Sequence, residues 1–205
     1  MIKNRLPIII IGIPSVLWIL NSGGIVFFTA LTTVALFCIH EFYGLAKAKE
    51  FAPNYFTGYI FVVMISCLYF NIFNISLIWC LAFLFLSLIS TIFIETFRYS
   101  INPIVNTSIT FLGILYVGGL FCSMIALREF DSFNGTNFTL MMLASVWICD
   151  SFAYIFGKSF GKKKLIQRLS PKKTIMGFCA GIIGAFISIY TLNYFGIISY
   201  NLNLY

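Results

Sequence analysis

Trp147-Ile-Cys-Asp150-Ser-Phe-Ala-Tyr154-Ile-Phe-Gly157-Lys-Ser-Phe-Gly161-Lys162-Lys-Lys-Leu-Ile-Gln-Arg168-Leu-Ser170-Pro-Lys172-Lys173-Thr174-Ile-Met-Gly177 is the stretch that decides the fold. It leaves one apolar run, crosses a dense basic segment and enters another apolar run. Seven of the 13 basic residues fall between Lys158 and Lys173, and no acidic residue follows Asp150. The net charge of +7 is therefore mostly the charge of one segment. The 205-residue chain as a whole is 60% hydrophobic and only 9% charged. A soluble domain is roughly 45–50% apolar and about 25% charged. One water-soluble core could not hide so much apolar side chain, so lipid must be the solvent for much of the surface.

Seven apolar runs approach the length of a membrane-spanning helix, about 17–25 residues. They are Leu6–Leu20, Ile25–Ile39, Tyr55–Phe70, Ile75–Ile94, Ile104–Leu127, Phe138–Phe156 and Ile175–Ile198. The first two are short and only Asn21-Ser22-Gly23-Gly24 separates them, which suits a tight helical hairpin or a pair that does not fully span. The fold class expected is all-α: a polytopic bundle of about seven spans. It forms a single integral membrane domain over 1–205, with 157–174 as a basic cytoplasmic loop.

Cytoplasmic loops keep the excess of Lys and Arg. With the N-terminus inside, Lys3, Arg5, Lys47, Lys49, Arg98 and the seven residues of the basic segment all fall inside, twelve of the 13. Only Arg128 falls outside, beside Glu129 and Asp131. The reverse orientation would put twelve outside. Lys3 and Arg5 ahead of an apolar run resemble a secretory leader, but no small-residue cleavage site follows, so the run reads as a retained span. The six cysteines sit in apolar runs with no C-x-x-C spacing, and read as small buried hydrophobes.

Asp150 lies well inside an apolar run, where a carboxylate costs roughly 2.5–3.5 kcal/mol unless it meets a partner or a polar cavity. A metal or phosphate ligand is one reading, and an interhelical hydrogen bond to Ser, Thr or Tyr is the other. Gly157 and Gly161 stand four apart, as do Gly177 and Gly181, a spacing that lets helices approach closely and also permits a homodimer. Gly157-Lys158-Ser159 is not a P-loop, because Phe152 stands where that motif needs glycine. Pro171 favours a bend or a helix first turn, and helix N-termini attract phosphate. The hydroxyls of Ser170 and Thr174 can donate to phosphate oxygens, and the lysines supply point charge. The alternative for the whole segment is a positive anchor on anionic lipid. With no soluble domain to form a groove, nucleic acid is not an expected partner. Glu41, at the end of the second span, reads either as a partner for a basic residue or as an exposed helix end. Glu95, ending the fourth, reads more simply as an exposed end.

The order Asp150, Ala153-Tyr154, Phe156-Gly157, Phe160-Gly161-Lys162 and Leu169-Ser170-Pro171-Lys172-Lys173-Thr174 with Gly177 resembles the phosphatidate cytidylyltransferases, or CDP-diacylglycerol synthases. His40-Glu41-Phe42-Tyr43-Gly44-Leu45-Ala46 after Arg5, and Gly113-Ile-Leu-Tyr116-Val-Gly118 ahead of Leu127-Arg128, are similar to that family too, so the likeness runs through nearly the whole chain. The resemblance implies transfer of the cytidylyl group of CTP to phosphatidic acid, giving CDP-diacylglycerol and pyrophosphate in phospholipid biosynthesis. It implies Mg2+ as cofactor, and CTP, phosphatidic acid and the lipid bilayer of the inner (plasma) membrane as partners. Carried over residue by residue, it implies catalytic roles for Asp150, Lys172 and Lys173, with Asp150 also a metal ligand, and substrate binding by Lys162, Arg168, Ser170 and Thr174. Met176 stands where the family pattern has Glu. The family's C-terminal motif, with a Lys-Asp pair, His-Gly-Gly and Asp-Arg-x-Asp, does not occur in this sequence. The alternative expectation is therefore a non-catalytic scaffold or lipid-binding subunit of the same fold.

Overall fold

Inside lipid a backbone must satisfy its own hydrogen bonds, which a helix does segment by segment. The computed structural model describes residues 6–70, 77–98, 100–130, 134–168 and 170–194, and these are almost wholly helical. The chain divides into two compact units, Met1–Phe130 and Asp131–Tyr205.

The first unit contains α1 (Leu6–Ser22), α2 (Gly24–Lys47), α3 (Tyr55–Tyr69), α4 (Leu77–Phe97), α5 (Pro103–Gly113), a π-helical stretch Ile114–Phe121, and α6 (Ser123–Glu129). The last three run on as one apolar rod, Pro103–Glu129. The second unit contains α7 (Asn134–Phe160), two short strands, β1 (Lys164–Ile166) and β2 (Ser170–Thr174), and α8 (Ile175–Tyr194). Among the described residues, α2, the Pro103–Glu129 rod, α7 and α8 are long and apolar enough to cross a membrane, and Ile11–Ser22, Tyr55–Tyr69 and Leu81–Phe97 are shorter apolar helices. The protein is an all-α membrane protein. Aromatic side chains confirm which solvent it meets: Phe37, Phe56 and Phe186 are each about 70% exposed, a surface that hydrocarbon accepts and water does not.

The second apolar run is longer as a helix than hydropathy alone implies. α2 has 24 residues because it continues through His40-Glu41-Phe42-Tyr43 to Lys47. Its buried residues Thr32, Ala35, Ile39 and Tyr43 keep the spacing of one helix face. Glu41 therefore lies inside the helix and not at its end. Gly23, at φ +59°, makes the turn between α1 and α2. That turn is held by α6: Arg128 Nε donates to the Leu20 carbonyl at 2.9 Å, and the Glu129 carboxylate accepts from the Gly24 N–H at 3.1 Å.

Tyr43 is the centre of the first unit. Its ring is fully buried between Gly58 of α3 and Gly113 of α5, and its hydroxyl donates to the Thr110 carbonyl at 2.7 Å. A Cβ on either glycine would press into the ring, so both positions need the smallest residue. Further along the rod the Tyr69 hydroxyl donates to the Gly119 carbonyl at 2.8 Å. Gly119 lies within the π-helical stretch Ile114–Phe121.

A second cluster was not legible as such. Glu95, read from sequence as an exposed helix end, is 5% exposed. Its carboxylate accepts from the Ser100 hydroxyl, from Asn106 Nδ2 at 2.9 Å and from Arg98 at 3.4 Å. Asn106 then accepts from the Ala52 N–H at 2.8 Å, and Arg98 donates to the Ala52 carbonyl at 2.6 Å. The connection between α2 and α3 is thereby pinned to the α4–α5 corner.

Candidate functional site

The second unit is a helical hairpin with a basic strand pair between its helices. α7 and α8 run antiparallel along a seam of small residues. A Cβ on Gly177 would stand 2.7 Å from the Ala153 carbonyl oxygen, and one on Gly181 would stand 3.1 Å from Cys149 Sγ. Small side chains here let two backbones touch without the need for a hydrophobic driving force. The glycine face that could serve a homodimer is thus occupied by α7 of the same chain.

Residues 157–174 do not form an irregular loop. Gly157–Phe160 complete α7, and 164–166 pair antiparallel with 170–174, Lys164 opposite Thr174 and Ile166 opposite Ser170. Pro171 stands within β2 and not at a helix start, where its missing N–H removes one ladder donor. The side chains of Lys162, Lys163, Lys164, Arg168, Lys172 and Lys173 are all exposed. Among the described residues no ion pair engages any of them. Six like charges on one short hairpin repel one another, and among the described residues no carboxylate pairs with them.

Thr174 is the exception within this segment. Sequence expectation made it a phosphate donor, but it is 6% exposed and acts as the N-cap of α8. Its oxygen accepts from the Gly177 N–H at 3.2 Å and lies 3.5 Å from the Gly157 carbonyl. Gly157, Gly161 and Gly177 surround it too closely to admit another side chain, and Ile175 N–H closes the hairpin on the Lys163 carbonyl at 3.1 Å. Thr174 therefore fixes the hairpin to both helices, and its hydroxyl is turned away from the exposed face of the hairpin. Thr174→Val keeps the shape and removes the cap. It is expected to cost about 1 kcal/mol, read as a lower thermal midpoint of the purified chain.

Asp150 sits ten residues before the end of α7, about 15 Å along the axis. It is exposed, and no hydrogen bond or ion pair reaches it among the described residues. The interhelical bond to Ser, Thr or Tyr is absent there. The structure does not bring Asp150 into contact with the hairpin; it places both on one unit, joined by the Asp150–Gly157 side of α7. Lys158 approaches the Tyr154 ring at 5.8 Å, within the range of a cation–π contact.

Among the described residues, no three His, Cys, Asp or Glu side chains cluster into a closed metal cage. Mg2+ is characteristically held by one or two carboxylates together with substrate phosphates. Asp150, a carboxylate without a side-chain partner among the described residues, could contribute to a site of that kind but does not form one alone.

The chain as a whole matches the model of the cytidylyltransferase family over residues 3–201. It is similar to the phosphatidate cytidylyltransferase of Bacillus subtilis, 38% identical over 76 residues, or 37% of this chain and 28% of the relative. It is similar to that of Chlamydia trachomatis, 33% identical over 110 residues, or 51% of this chain and 36% of the relative. The protein of the same name in Aquifex aeolicus is 35% identical over 98 residues, or 47% of this chain and 35% of the relative. Each alignment covers about a third of the relative's own length.

Proposed function

This chain belongs to the cytidylyltransferase family, and from that premise we propose that it transfers the cytidylyl group of CTP to phosphatidic acid. In this reaction an oxygen of the lipid phosphate forms a bond to the α-phosphorus of CTP. The bond from that phosphorus to the bridging oxygen of the β-phosphate breaks, and pyrophosphate leaves with the electron pair. CDP-diacylglycerol is the lipid product. The observation that carries the proposal is the basic hairpin, exposed and unpaired, on the same unit as an unpartnered intramembrane carboxylate.

Transfers at phosphorus depend mostly on positioning and charge neutralisation. Lys172 and Lys173, with Lys162 and Arg168, neutralise and orient the triphosphate, and the Ser170 hydroxyl donates to a phosphate oxygen. Asp150 would hold Mg2+, which would supply Lewis-acid polarisation at the phosphates. The hairpin faces the cytoplasm, where CTP is available, and the protein resides in the inner membrane.

Orientation has its own test. Lys172→Cys in the hairpin is expected to react with a membrane-impermeant maleimide in inverted membrane vesicles and not in intact cells. Labelling in intact cells would reverse the proposed topology.

The activity is tested by supplying the purified chain with phosphatidic acid, labelled CTP and Mg2+. Labelled CDP-diacylglycerol above a no-enzyme control is expected. Binding of phosphatidic-acid vesicles with no product would instead favour the lipid-binding subunit.

A further inference from the structure

In the first unit, α2 and α3 leave an open groove of about 710 Å³, whose lining includes Thr33, Phe37, His40, Tyr59, Val63 and Met64. The groove is apolar up to His40. There Nδ1 lies 2.5 Å from the Tyr59 hydroxyl, and Tyr55 packs edge-on against the imidazole. A tyrosine that donates to Nδ1 leaves the ring hydrogen on Nε2, and no described hydrogen bond engages that atom.

Beyond His40 the same stripe of α2 continues through Gly44 and Lys47, at i+4 and i+7. A Cβ on Gly44 would meet nothing within 4 Å. Glycine inside a helix is destabilising relative to alanine, and no neighbour in the described chain requires its smallness. Lys47 is exposed and has no ion pair among the described residues. Glu41 lies about 100° round the helix from His40, and Lys49 and Glu50 lie beyond the helix end with charges that offset each other. Lys47 is thus the charge in line with the groove. It stands about 10 Å along the axis from His40, comparable with a headgroup layer of about 5–8 Å.

We propose that this groove binds an anionic glycerophospholipid. The acyl chain lies along Phe37 and Val63, and the phosphate sits between His40 Nε2 and Lys47, in the notch that Gly44 leaves open. The site is independent of the catalytic reading of the second unit. Acyl contact alone cannot select a lipid, because surrounding tails are equally apolar. Selectivity must come from the headgroup, which is what a test has to isolate.

The full chain in detergent micelles is exposed to phosphatidylglycerol or phosphatidylcholine that carry the same photoactivatable acyl chain, and labelled peptides are mapped. Phosphatidylglycerol is expected to label residues 33–64 about fivefold more strongly, the factor of one basic residue near a phosphate. Gly44→Leu and Lys47→Ala are each expected to abolish that preference, while Gly44→Leu does not lower thermal melting. Val63→Trp, which fills the groove, is expected to lower labelling by both lipids. Equal labelling by the two lipids would overturn the proposal, as would a preference that survives Gly44→Leu. A cross-link between two copies through Phe37 would also overturn it, by showing that the groove is an interface.

Discussion

Asp150→Asn is expected to lower CDP-diacylglycerol formation by about 100-fold or more, the scale of losing one charge-stabilising group aimed at a transferring phosphoryl centre. The substitution keeps size and removes charge. Because no hydrogen bond or ion pair of the described chain reaches Asp150, the fold has little to lose, and melting of the variant is expected to match the parent. Its insertion into the bilayer should, if anything, become easier, since a neutral amide replaces an intramembrane carboxylate. The activity loss is thereby separable from misfolding. Lys172→Ala is expected to act differently. Lys173 and the other hairpin cations remain, so the loss is about tenfold and appears chiefly as a raised KM for CTP. Steady-state kinetics at varied CTP and Mg2+ distinguish the two. Unchanged turnover in Asp150→Asn would remove that carboxylate from the site.

Glu95→Ala is expected to destabilise the first unit by about 3 kcal/mol, the low end for removing one partner of a buried ion pair. The low end applies because the Arg98 side chain is 37% exposed, so water can recover part of its hydration. Asn106 and Ser100 fare worse. Their donors to the carboxylate would be left without an acceptor at the buried corner. Glu95→Gln, which retains an acceptor, is expected to cost about 1 kcal/mol. Urea titration of the two variants in micelles would check the order. Equal stability of the parent and Glu95→Ala would show that the corner holds without its carboxylate.

The contrast between Asp150 and Glu95 separates two kinds of information in a membrane sequence. Both read as acidic residues near or within apolar runs. Hydropathy marked Asp150 as costly and therefore suspect, and the structure leaves it without a partner in the described chain. Hydropathy passed over Glu95 because it ends a run. Its partners Ser100 and Asn106 are five and eleven residues on, and Asn106 in turn reaches Ala52. Which side chains meet there depends on how α4, α5 and the α2–α3 connection close on one another. No local pattern reports that.

The basic hairpin shows the same division at the candidate site. The charge run at 157–174 was plain in the sequence, and so was the family resemblance it carried. That Thr174 would turn inward to cap α8 among three glycines was not, because Gly157 meets it only after the hairpin folds back seventeen residues. The solvent, the apolar helices and the concentration of positive charge were all legible from composition and pattern. Those follow from composition and from the need of each backbone segment to bond internally in lipid. Tertiary structure alone decided that α2 runs on through His40 to Lys47, and that Tyr43 fills the space between Gly58 and Gly113. It also decided that Glu95 is buried, and that within the basic segment the lysines stay exposed while Thr174 does not. The placements of Tyr43, Glu95 and Thr174 rest on contacts between residues brought together by the fold, where shape and hydrogen-bond partners, and not hydropathy, select the outcome.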